Sequence, residues 1–277
     1  MDLNLYVQAI VLGVVQGLTE FLPISSSGHL ILAPYLAGWD DEFINSLQFS
    51  VMLHLGTLTA LLVYFWRDWR RLVPAGLAAI RDRSFAGDRD RRLAWLLAVT
   101  IVPAAIAGLL LDDVIESTLR TPGVVAVLLI AGAAVMWLAD RWGAKSRDEY
   151  ELGFGGSFGI GLAQALALAP GVSRSGITIS AGLFAGLTRE SAARFAFLMA
   201  TPIIAAAGIF ELRKLVAGDS TVELQAGPLV AGMVAALLSG LFAIGFLLRY
   251  LRTRSLGVFI VYRLVLAAII VVVFLNP

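Results

Sequence analysis

Residues 16–29 read QGLTEFLPISSSGH and lie inside the first long apolar region of the chain. The segment carries a glutamate, a proline, three consecutive serines and a histidine, although a charge at the centre of a membrane helix costs about 2.5–3.5 kcal/mol. Pro23 also lacks the backbone donor that a continuing helix needs. The segment therefore predicts a bent helix whose polar side chains have a function, and not a simple membrane span.

The composition is that of an integral membrane protein. Of the 277 residues, 59% are hydrophobic and 15% are charged, and the mean hydropathy is +0.85. The chain has no cysteine, which excludes disulfides and thiolate metal sites, and its net charge of +1 predicts no nucleic-acid partner. Six apolar runs match or approach the roughly 20 residues that cross a bilayer. These runs are 49–66, 93–111, 122–139, 195–210, 228–248 and 256–275.

Basic residues are unevenly distributed among the connecting segments. Fourteen lie in one set of three segments and three lie in the other set. The first set is 67–92, 140–151 and 249–254, and the second set is 1–48, 112–120 and 211–227. Because cytoplasmic loops carry the excess of Lys and Arg, the first set is expected in the cytoplasm and the second set, with both termini, outside.

The chain also contains an internal repeat at an offset of 148 residues. QGLTEFLPISSSG aligns with QALALAPGVSRSG at 164–176, with Gln, Ser and Gly matching as well as apolar residues. A chance match in apolar sequence is the alternative. Each copy precedes three spanning runs, and an odd number inverts the second copy relative to the first. The chain is therefore predicted to be a single membrane domain of two inverted repeats, approximately 1–145 and 150–277.

The charge distribution requires two segments to enter and leave the membrane on the same side, namely 5–35 and 158–190. Pro23 in the first, and Pro170 with Gly171 in the second, break a helix and suit a turn. Irregular backbone at membrane depth is tolerated where it lines a protein cavity. The predicted fold is all-α, with six transmembrane helices and two re-entrant helix pairs whose bends face a shared cavity.

Ionisable residues inside apolar segments predict a functional site. Glu20 lies in the first repeat and Arg174 in the second, and one reading is a buried pair that only locks the repeats together. The neighbouring residues favour phosphate binding, since Arg forks onto phosphate oxygens and helix N-termini bind anions. The predicted phosphate-binding residues are Ser25, Ser27, Gly28, Ser173, Arg174, Ser175 and Gly176.

Ser26, His29 and Glu20 form the predicted catalytic group. His29 follows Ser26 by three positions, and a Ser–His pair is a recurring layout of an activated nucleophile. Glu20 either orients His29 or holds a divalent ion, with a weak contribution from Gln16 on the same helix face. The nucleophile is left open between Ser26, His29 and a metal-bound water. The other histidine, His54, could also reach the cavity, but the favoured interpretation is a hydrogen-bonded helix-packing residue.

QGLTEFLPISSSGH and PGVSRSGITIS, residues 170–180, together resemble the two signature motifs of the undecaprenyl-pyrophosphate phosphatase family, also called the bacitracin-resistance protein family. The resemblance covers essentially the whole chain, including GLTRESAARFAF at 186–197 and the Tyr262–Arg263 pair. The family's first motif more often begins with Glu, however, whereas Gln16 is neutral. That departure weakens the prediction of a metal site at this position.

The resemblance implies an enzyme of the bacterial cytoplasmic membrane that removes the terminal phosphate of undecaprenyl pyrophosphate. The product is the monophosphate carrier, recycled for peptidoglycan and other wall polymers, and the activity confers bacitracin resistance. Family members work with a divalent cation, here expected to be Mg²⁺ with Ca²⁺ as the alternative. The active site is expected to open to the outer, periplasmic face, and the partners are a polyprenyl pyrophosphate lipid and membrane lipid.

The alternative function is a polyprenyl-phosphate transporter or flippase, because inverted repeats with broken helices also build transport sites. The Ser26, His29 and Glu20 group distinguishes the two, since a carrier has no need of it. Glycine-rich spans allow close helix contacts within a monomer or in a homodimer. Three further arginines are expected either to hold the diphosphate or to pair at helix ends, namely Arg189, Arg194 and Arg263.

Overall fold

The computed structural model describes residues 3–85, 87–118, 121–217 and 225–275, and these residues form helices joined by turns. A short 3₁₀ turn, Glu149–Glu151, is the only other regular element among them. The helices are α1 (Leu3–Phe21), α2 (Ser26–Ala37), α3 (Leu47–Tyr64), α4 (Trp66–Asp82), α5 (Arg89–Thr118), α6 (Pro122–Trp142), α7 (Phe154–Leu166), α8 (Arg174–Phe184), α9 (Arg189–Ala217), α10 (Ala226–Leu251) and α11 (Gly257–Leu275).

The six predicted spans are confirmed as helices α3, α5, α6, α9, α10 and α11. Within the described ranges these six are long and apolar enough to cross a membrane. The α9 span is 61% buried inside the protein and the α11 span 28%, so α9 is central and α11 peripheral. The sequence did not predict α4, a surface helix with three arginines on one side of Pro74 and exposed Leu77 and Ile80 on the other.

The remaining four helices form two pairs, α1 with α2 and α7 with α8. Both ends of the second pair meet, because the backbone N–H groups of Ser146 and Arg147, ahead of α7, donate to the Gly186 carbonyl just after α8 (3.0 and 3.1 Å). In the first pair, Leu5 near the start of α1 packs in one apolar cluster with Phe43, which follows α2. The start and the end of the second pair therefore lie side by side.

The two turns inside these pairs contact each other in the interior of the protein. Ser175 Oγ donates to the Leu22 carbonyl at 3.1 Å, and the Gly171 N–H donates to Ser27 Oγ at 3.4 Å. These bonds link the α1–α2 turn to the α7–α8 turn although their residues are about 150 positions apart.

One end of the bundle, here named the basic end, gathers the three arginine-rich segments. Arg194 pairs with Asp68 and with Glu149 (2.9 Å), and Arg189 pairs with Asp140 at 2.5 Å. These contacts place the segments 65–92 and 140–152 beside the start of α9. Arg252 completes the basic end by pairing with Glu190 at 2.8 Å.

Two glycines at equivalent repeat positions allow close helix contacts. Gly13 of α1 lies against the Gly232 carbonyl of α10, and a Cβ there would overlap that backbone. Gly161 of α7, 148 positions later, lies against Thr100 of α5, where a Cβ would be 2.7 Å from the Thr100 carbonyl oxygen. Small residues at such contacts let helix backbones pack closely in membranes.

Candidate active site

A cavity of about 480 Å³ lies between the two turns and α3. Its wall includes Asn45 and Leu47, which lie at the end of the bundle opposite the basic end. Polar groups from both repeats face it. The polar lining residues are Thr19, Glu20, Ser25, Ser26, Ser27, Asn45, Ser50, His54, Ser173 and Arg174.

Glu20 is the centre of the polar contacts in this cavity. Its side chain is 5% exposed, and its Oε2 accepts hydrogen bonds from Ser26 Oγ at 2.8 Å and from Gln16 Nε2 at 3.2 Å. Arg174 Nη1 lies 3.5 Å from Oε1, and His54 Nε2 lies 3.5 Å from Oε2. The guanidinium and the two donors favour the ionised carboxylate despite its burial.

Local backbone geometry brings Ser26 back to Glu20. α1 ends at Phe21, the chain turns through Pro23, and α2 begins at Ser26. Ser25, the residue before α2, has a φ of 78°, a conformation that L-residues rarely adopt and that reverses the chain direction. A residue six positions after Glu20 therefore donates to its carboxylate, at the N-terminus of a helix where anions are favoured.

The second turn places Arg174 in the same way. Ser173 precedes α8 with a φ of 69°, and its hydroxyl accepts from the Gly176 N–H at 3.2 Å. Arg174 is the first residue of α8. Its Nη1 is buried and makes no hydrogen bond to a described residue, and the 3.5 Å to Glu20 is long for one. A donor in that position is available to a bound anion.

The structure does not bring His29 to Ser26 as the sequence predicted. His29 Nδ1 donates to the Ser25 carbonyl at 2.7 Å, so in the neutral ring Nε2 accepts from the Tyr262 hydroxyl, also at 2.7 Å. The two rings stack with their centroids 5.6 Å apart. Both nitrogens are thereby engaged away from Ser26, and His29 is not among the residues that line the cavity. The contacts make His29 a link between α2 and α11.

His54 takes the place that the sequence suggested for His29. We expected it to pack between helices, but it lines the cavity. Its Nδ1 donates to the Ser50 carbonyl at 2.8 Å, which leaves Nε2 facing Glu20. In the protonated ring this Nε2 is a donor beside the carboxylate. The sequence showed only that His54 is a histidine within an apolar span. That observation does not indicate which face of the helix the side chain occupies.

The three further arginines lie away from the cavity. Arg189 and Arg194 pair at the basic end, as described above. Arg263 is fully buried in α11 and reaches the back of the second turn. Its donors bind the carbonyls of Gly171 (2.9 Å) and Val172 (3.1 Å) and two carbonyls of α6. It therefore holds the turn that carries Arg174, and the prediction that it contacts diphosphate has no support from these bonds.

The other predicted phosphate-binding residues fall into two groups. Ser25, Ser27 and Ser173 line the cavity. The second group does not line it and consists of Gly28, Ser175 and Gly176. The Ser175 hydroxyl donates to the Leu22 carbonyl, and the Gly176 N–H donates to the Ser173 hydroxyl. Both residues therefore stabilise the turns.

The residues around Glu20 have limited capacity for a metal ion. The described residues contain no group of three or more His, Asp or Glu side chains that could hold one. Glu20 is the one acidic residue that lines the cavity, and the Gln16 amide oxygen is buried without a hydrogen-bond partner. One carboxylate suits Mg²⁺ when substrate phosphates and water supply the other ligands. Gln16 is fully buried and does not line the cavity, so among the predicted metal ligands only Glu20 could reach an ion bound there.

Comparison with known proteins agrees with the motifs. The chain matches the family model described as bacitracin resistance protein BacA over residues 9–269. An undecaprenyl-diphosphatase of Desulforudis audaxviator is 44% identical over 96% of this chain and 97% of that protein. Those of Gemmatimonas aurantiaca and Moorella thermoacetica are each 47% identical, over 95% and 96% of this chain and 96% and 97% of their own lengths.

Proposed function

This chain belongs to the bacitracin resistance protein BacA family, and we propose that it hydrolyses undecaprenyl diphosphate to undecaprenyl phosphate and inorganic phosphate. The names of its relatives give the substrate. The observation that carries the proposal is the 2.8 Å hydrogen bond from Ser26 Oγ to Glu20 in a cavity that also holds Arg174. The reaction recycles the lipid carrier for cell-wall polymers and confers bacitracin resistance.

In the first step Ser26 Oγ attacks the terminal phosphorus while Glu20 accepts its proton. The new O–P bond forms as the anhydride P–O bond breaks, and the lipid monophosphate leaves with the bond's electron pair. The proton then passes from Glu20 to the leaving phosphate or to water. In the second step Glu20 takes a proton from a water molecule whose oxygen attacks the phosphoserine phosphorus. The Ser26 Oγ–P bond then breaks, inorganic phosphate is released, and Glu20 returns the proton to Ser26 Oγ. The 2.8 Å contact supports Glu20 as the acceptor.

Arg174 and the two helix N-termini are proposed to bind the diphosphate. Arg174 neutralises the charge that develops on the phosphoryl oxygens. The hydroxyls of Ser25, Ser27 and Ser173 and the N–H groups that begin α2 add further donors around it. His54, whose Nε2 lies 3.5 Å from Glu20 Oε2 in the same cavity, takes part in the proton transfer that the sequence suggested for His29.

The contacts favour Ser26 over His29 as the nucleophile, and a metal-bound water stays the other candidate. His29 makes two hydrogen bonds away from the cavity, to Ser25 and to Tyr262. Trapping a phosphorylated enzyme and sequencing the labelled peptide tests the choice. Label on Ser26 is the expected result, and label on His29 would overturn the assignment.

We also propose a divalent cation, Mg²⁺ in the first place and Ca²⁺ as the alternative, bound with the substrate. Glu20 would hold it, since Gln16 does not line the cavity. When bound, such an ion withdraws charge from phosphate oxygens. The hydrogen bond from Gln16 Nε2 to Glu20 supports a different role for Gln16, which is to orient the carboxylate.

The membrane arrangement completes the proposal. The helix contacts support two inverted repeats with re-entrant pairs, in which α1 corresponds to α7, α5 to α10 and α6 to α11. In agreement with this, α1 packs on α10 as α7 packs on α5, and α6 packs on α11. The positive-inside rule places the basic end in the cytoplasm of a bacterium and the cavity toward the periplasm. A homodimer is the alternative to a monomer, and the mass of the protein in detergent distinguishes the two.

The decisive experiment measures phosphate release from undecaprenyl diphosphate by purified protein in detergent, with and without Mg²⁺. Wild type should release phosphate, and Glu20→Gln should lose about 10²-fold or more because the proton acceptor is gone. Gln16→Glu should keep measurable activity and bind Mg²⁺ more tightly. The Ser26–Glu20 pair does not favour a transporter. If the wild-type protein bound the lipid but released no phosphate, the transporter would be favoured instead.

A further inference from the structure

A second cavity, also about 480 Å³, lies at the basic end of the bundle between α6 and the start of α11. It is separate from the cavity around Glu20 and shares no lining residue with it. The hydrolysis proposed above makes no use of it. The lining residues that matter are Trp137, Asp140, Arg141, Lys145, Arg189 and Ser255.

The second cavity carries excess positive charge. Three cationic side chains face one carboxylate, Asp140, which is already engaged by Arg189 Nε at 2.5 Å and by the Leu256 N–H at 3.2 Å. Lys145 Nζ donates only to the Gly143 carbonyl (2.9 Å) among the described residues. Arg141 makes no hydrogen bond or ion pair with any residue that the structure describes. Two cations therefore face the cavity without a carboxylate of their own.

The backbone that presents Lys145 is held in place. Lys145 itself has a φ of 54°, and the N–H groups of the next two residues, Ser146 and Arg147, both donate to the Gly186 carbonyl. On the other side, the Gly143 N–H donates to the Ala139 carbonyl at 2.9 Å, continuing α6. The backbone of Lys145 is thus held between two anchored points and does not lie on a free loop.

Apolar surface begins directly beside these cations. Trp137 is 54% exposed, and the residues exposed one and more turns before it on the same face of α6 are Ala134, Ile130 and Val127. On α11, Val258 and Val261 are 64% and 61% exposed. Tryptophan is enriched where membrane helices meet the headgroup region. The cavity therefore lies where a phospholipid headgroup would be found, with an apolar surface below it for acyl chains.

We propose that this second cavity binds the phosphate headgroup of an anionic phospholipid. Arg141 and Lys145 contact the phosphate, Arg189 stays paired with Asp140 at the edge, and the acyl chains lie along the exposed faces of α6 and α11. Basic pockets between transmembrane helices on the cytoplasmic side suit anionic headgroups. A free phosphate ion would use the cations but leave the adjoining apolar surface unused, which is why a lipid is the proposed occupant.

The test compares thermal stabilisation of the purified protein in detergent by phosphatidylglycerol and by phosphatidylcholine with the same acyl chains. Wild type should be stabilised by phosphatidylglycerol at concentrations at least about tenfold lower than by phosphatidylcholine, as two surface cations allow. Arg141→Gln/Lys145→Gln should lose this preference. Arg67→Gln/Arg83→Gln is the matched control, since it removes the same charge at the same end away from the cavity, and should keep it.

Three outcomes would overturn the proposal: wild type that does not distinguish the lipids, equal loss in both double variants, or stabilisation by inorganic phosphate as effective as by phosphatidylglycerol. The last would show an anion site that does not select a lipid. Phosphate release in detergent without added lipid serves as the folding control for every variant. Arg141→Gln alone, at a residue without described contacts, repeats the test if the double variant is unstable.

Discussion

The turn between α1 and α2 and the turn between α7 and α8 share a backbone conformation. Ser25 and Ser173, 148 positions apart, both have positive φ, 78° and 69°. In each turn the serine hydroxyl lies beside that of the serine two positions later, at 3.2 Å for Ser25 and Ser27 and at 3.3 Å for Ser173 and Ser175. The residues that the repeats have in common therefore build the turns.

The residues that differ between the two turns are the ones proposed to carry the chemistry. At the same offset Ser26 aligns with Arg174, and Glu20 aligns with Leu168. The first turn thus supplies a hydroxyl and a carboxylate, and the second supplies a guanidinium. A repeated turn gives two helix N-termini that face one cavity, and a few substitutions suffice to make one of them reactive and the other a binding group.

Ser26→Ala should have the largest effect. It removes the hydroxyl that donates to Glu20, and turnover should fall by at least about 10³-fold. Ser175→Ala is the matched control, because it removes a hydroxyl of the second turn that holds the Leu22 carbonyl, and it should cost no more than about tenfold. Phosphate release in detergent measures both. Similar losses in the two variants would contradict the division between reacting and turn-building serines.

Arg174→Ala should come next, with a loss of about 10²–10³-fold in kcat/KM, the usual effect of removing one donor to a developing anion. Arg174→Lys should recover only part of it, because an ammonium cannot fork onto two phosphate oxygens. If the pair with Glu20 were only a lock between repeats, a variant with Leu at both positions would remain active. Melting temperatures in detergent separate that outcome from misfolding.

Arg263→Lys should have an intermediate effect through the shape of the second turn. The lysine cannot satisfy all the carbonyls that Arg263 binds, and an unsatisfied buried carbonyl costs about 1–3 kcal/mol. We expect a lower melting temperature and a drop in kcat of about 10- to 100-fold as Arg174 is displaced. A lower melting temperature with unchanged kcat would show that the turn keeps its shape without Arg263.

The two histidines should show the smallest and most discriminating difference. His54→Gln should lower kcat about tenfold. This loss is smaller than the 10²–10⁴-fold expected when the only acid-base group is removed, because Glu20 remains as proton acceptor. His29→Gln should change kcat less than threefold by the same estimate, since it faces Tyr262. A larger loss for His29 than for His54 would restore the assignment made from the Ser26–His29 spacing.

Much of this architecture follows from local features of the sequence. Apolar run length predicted the six spans, because a bilayer demands about 20 helical residues. Four of them end within three residues of the prediction, whereas α5 and α9 extend up to seven residues beyond it. Pro23 and Pro170 marked the turns because proline removes a helix hydrogen bond, although Pro103 and Pro202 lie inside α5 and α9. The amphipathic helix α4 was missed, since its apolar residues are too few for a span and its arginines were read only as a loop signal.

Side-chain partners could not be read in the same way. His29 contacts Tyr262, 233 positions away, and Ser26 contacts Glu20 only because Ser25 reverses the chain. The sequence placed Glu20, Ser26 and Arg174 in the candidate site, but it treated His54 as a packing residue and paired Ser26 with His29. Spacing along one helix indicates which residues of that helix can meet. It does not show that a residue of another helix, here Tyr262, occupies the imidazole nitrogen of His29.

By itself, the sequence determined a membrane protein with six helical spans and two broken helix pairs. It also predicted a phosphate-binding set of serines together with Glu20 and Arg174. Hydrophobicity, helix breaking and charge are properties of residue type and order, so they are present before folding. Only the tertiary structure decided that His54 faces Glu20, that Arg263 supports a turn and that Arg141 and Lys145 share a second cavity. Those relations depend on the packing of distant helices, which sets the distances over which hydrogen bonds and charges act.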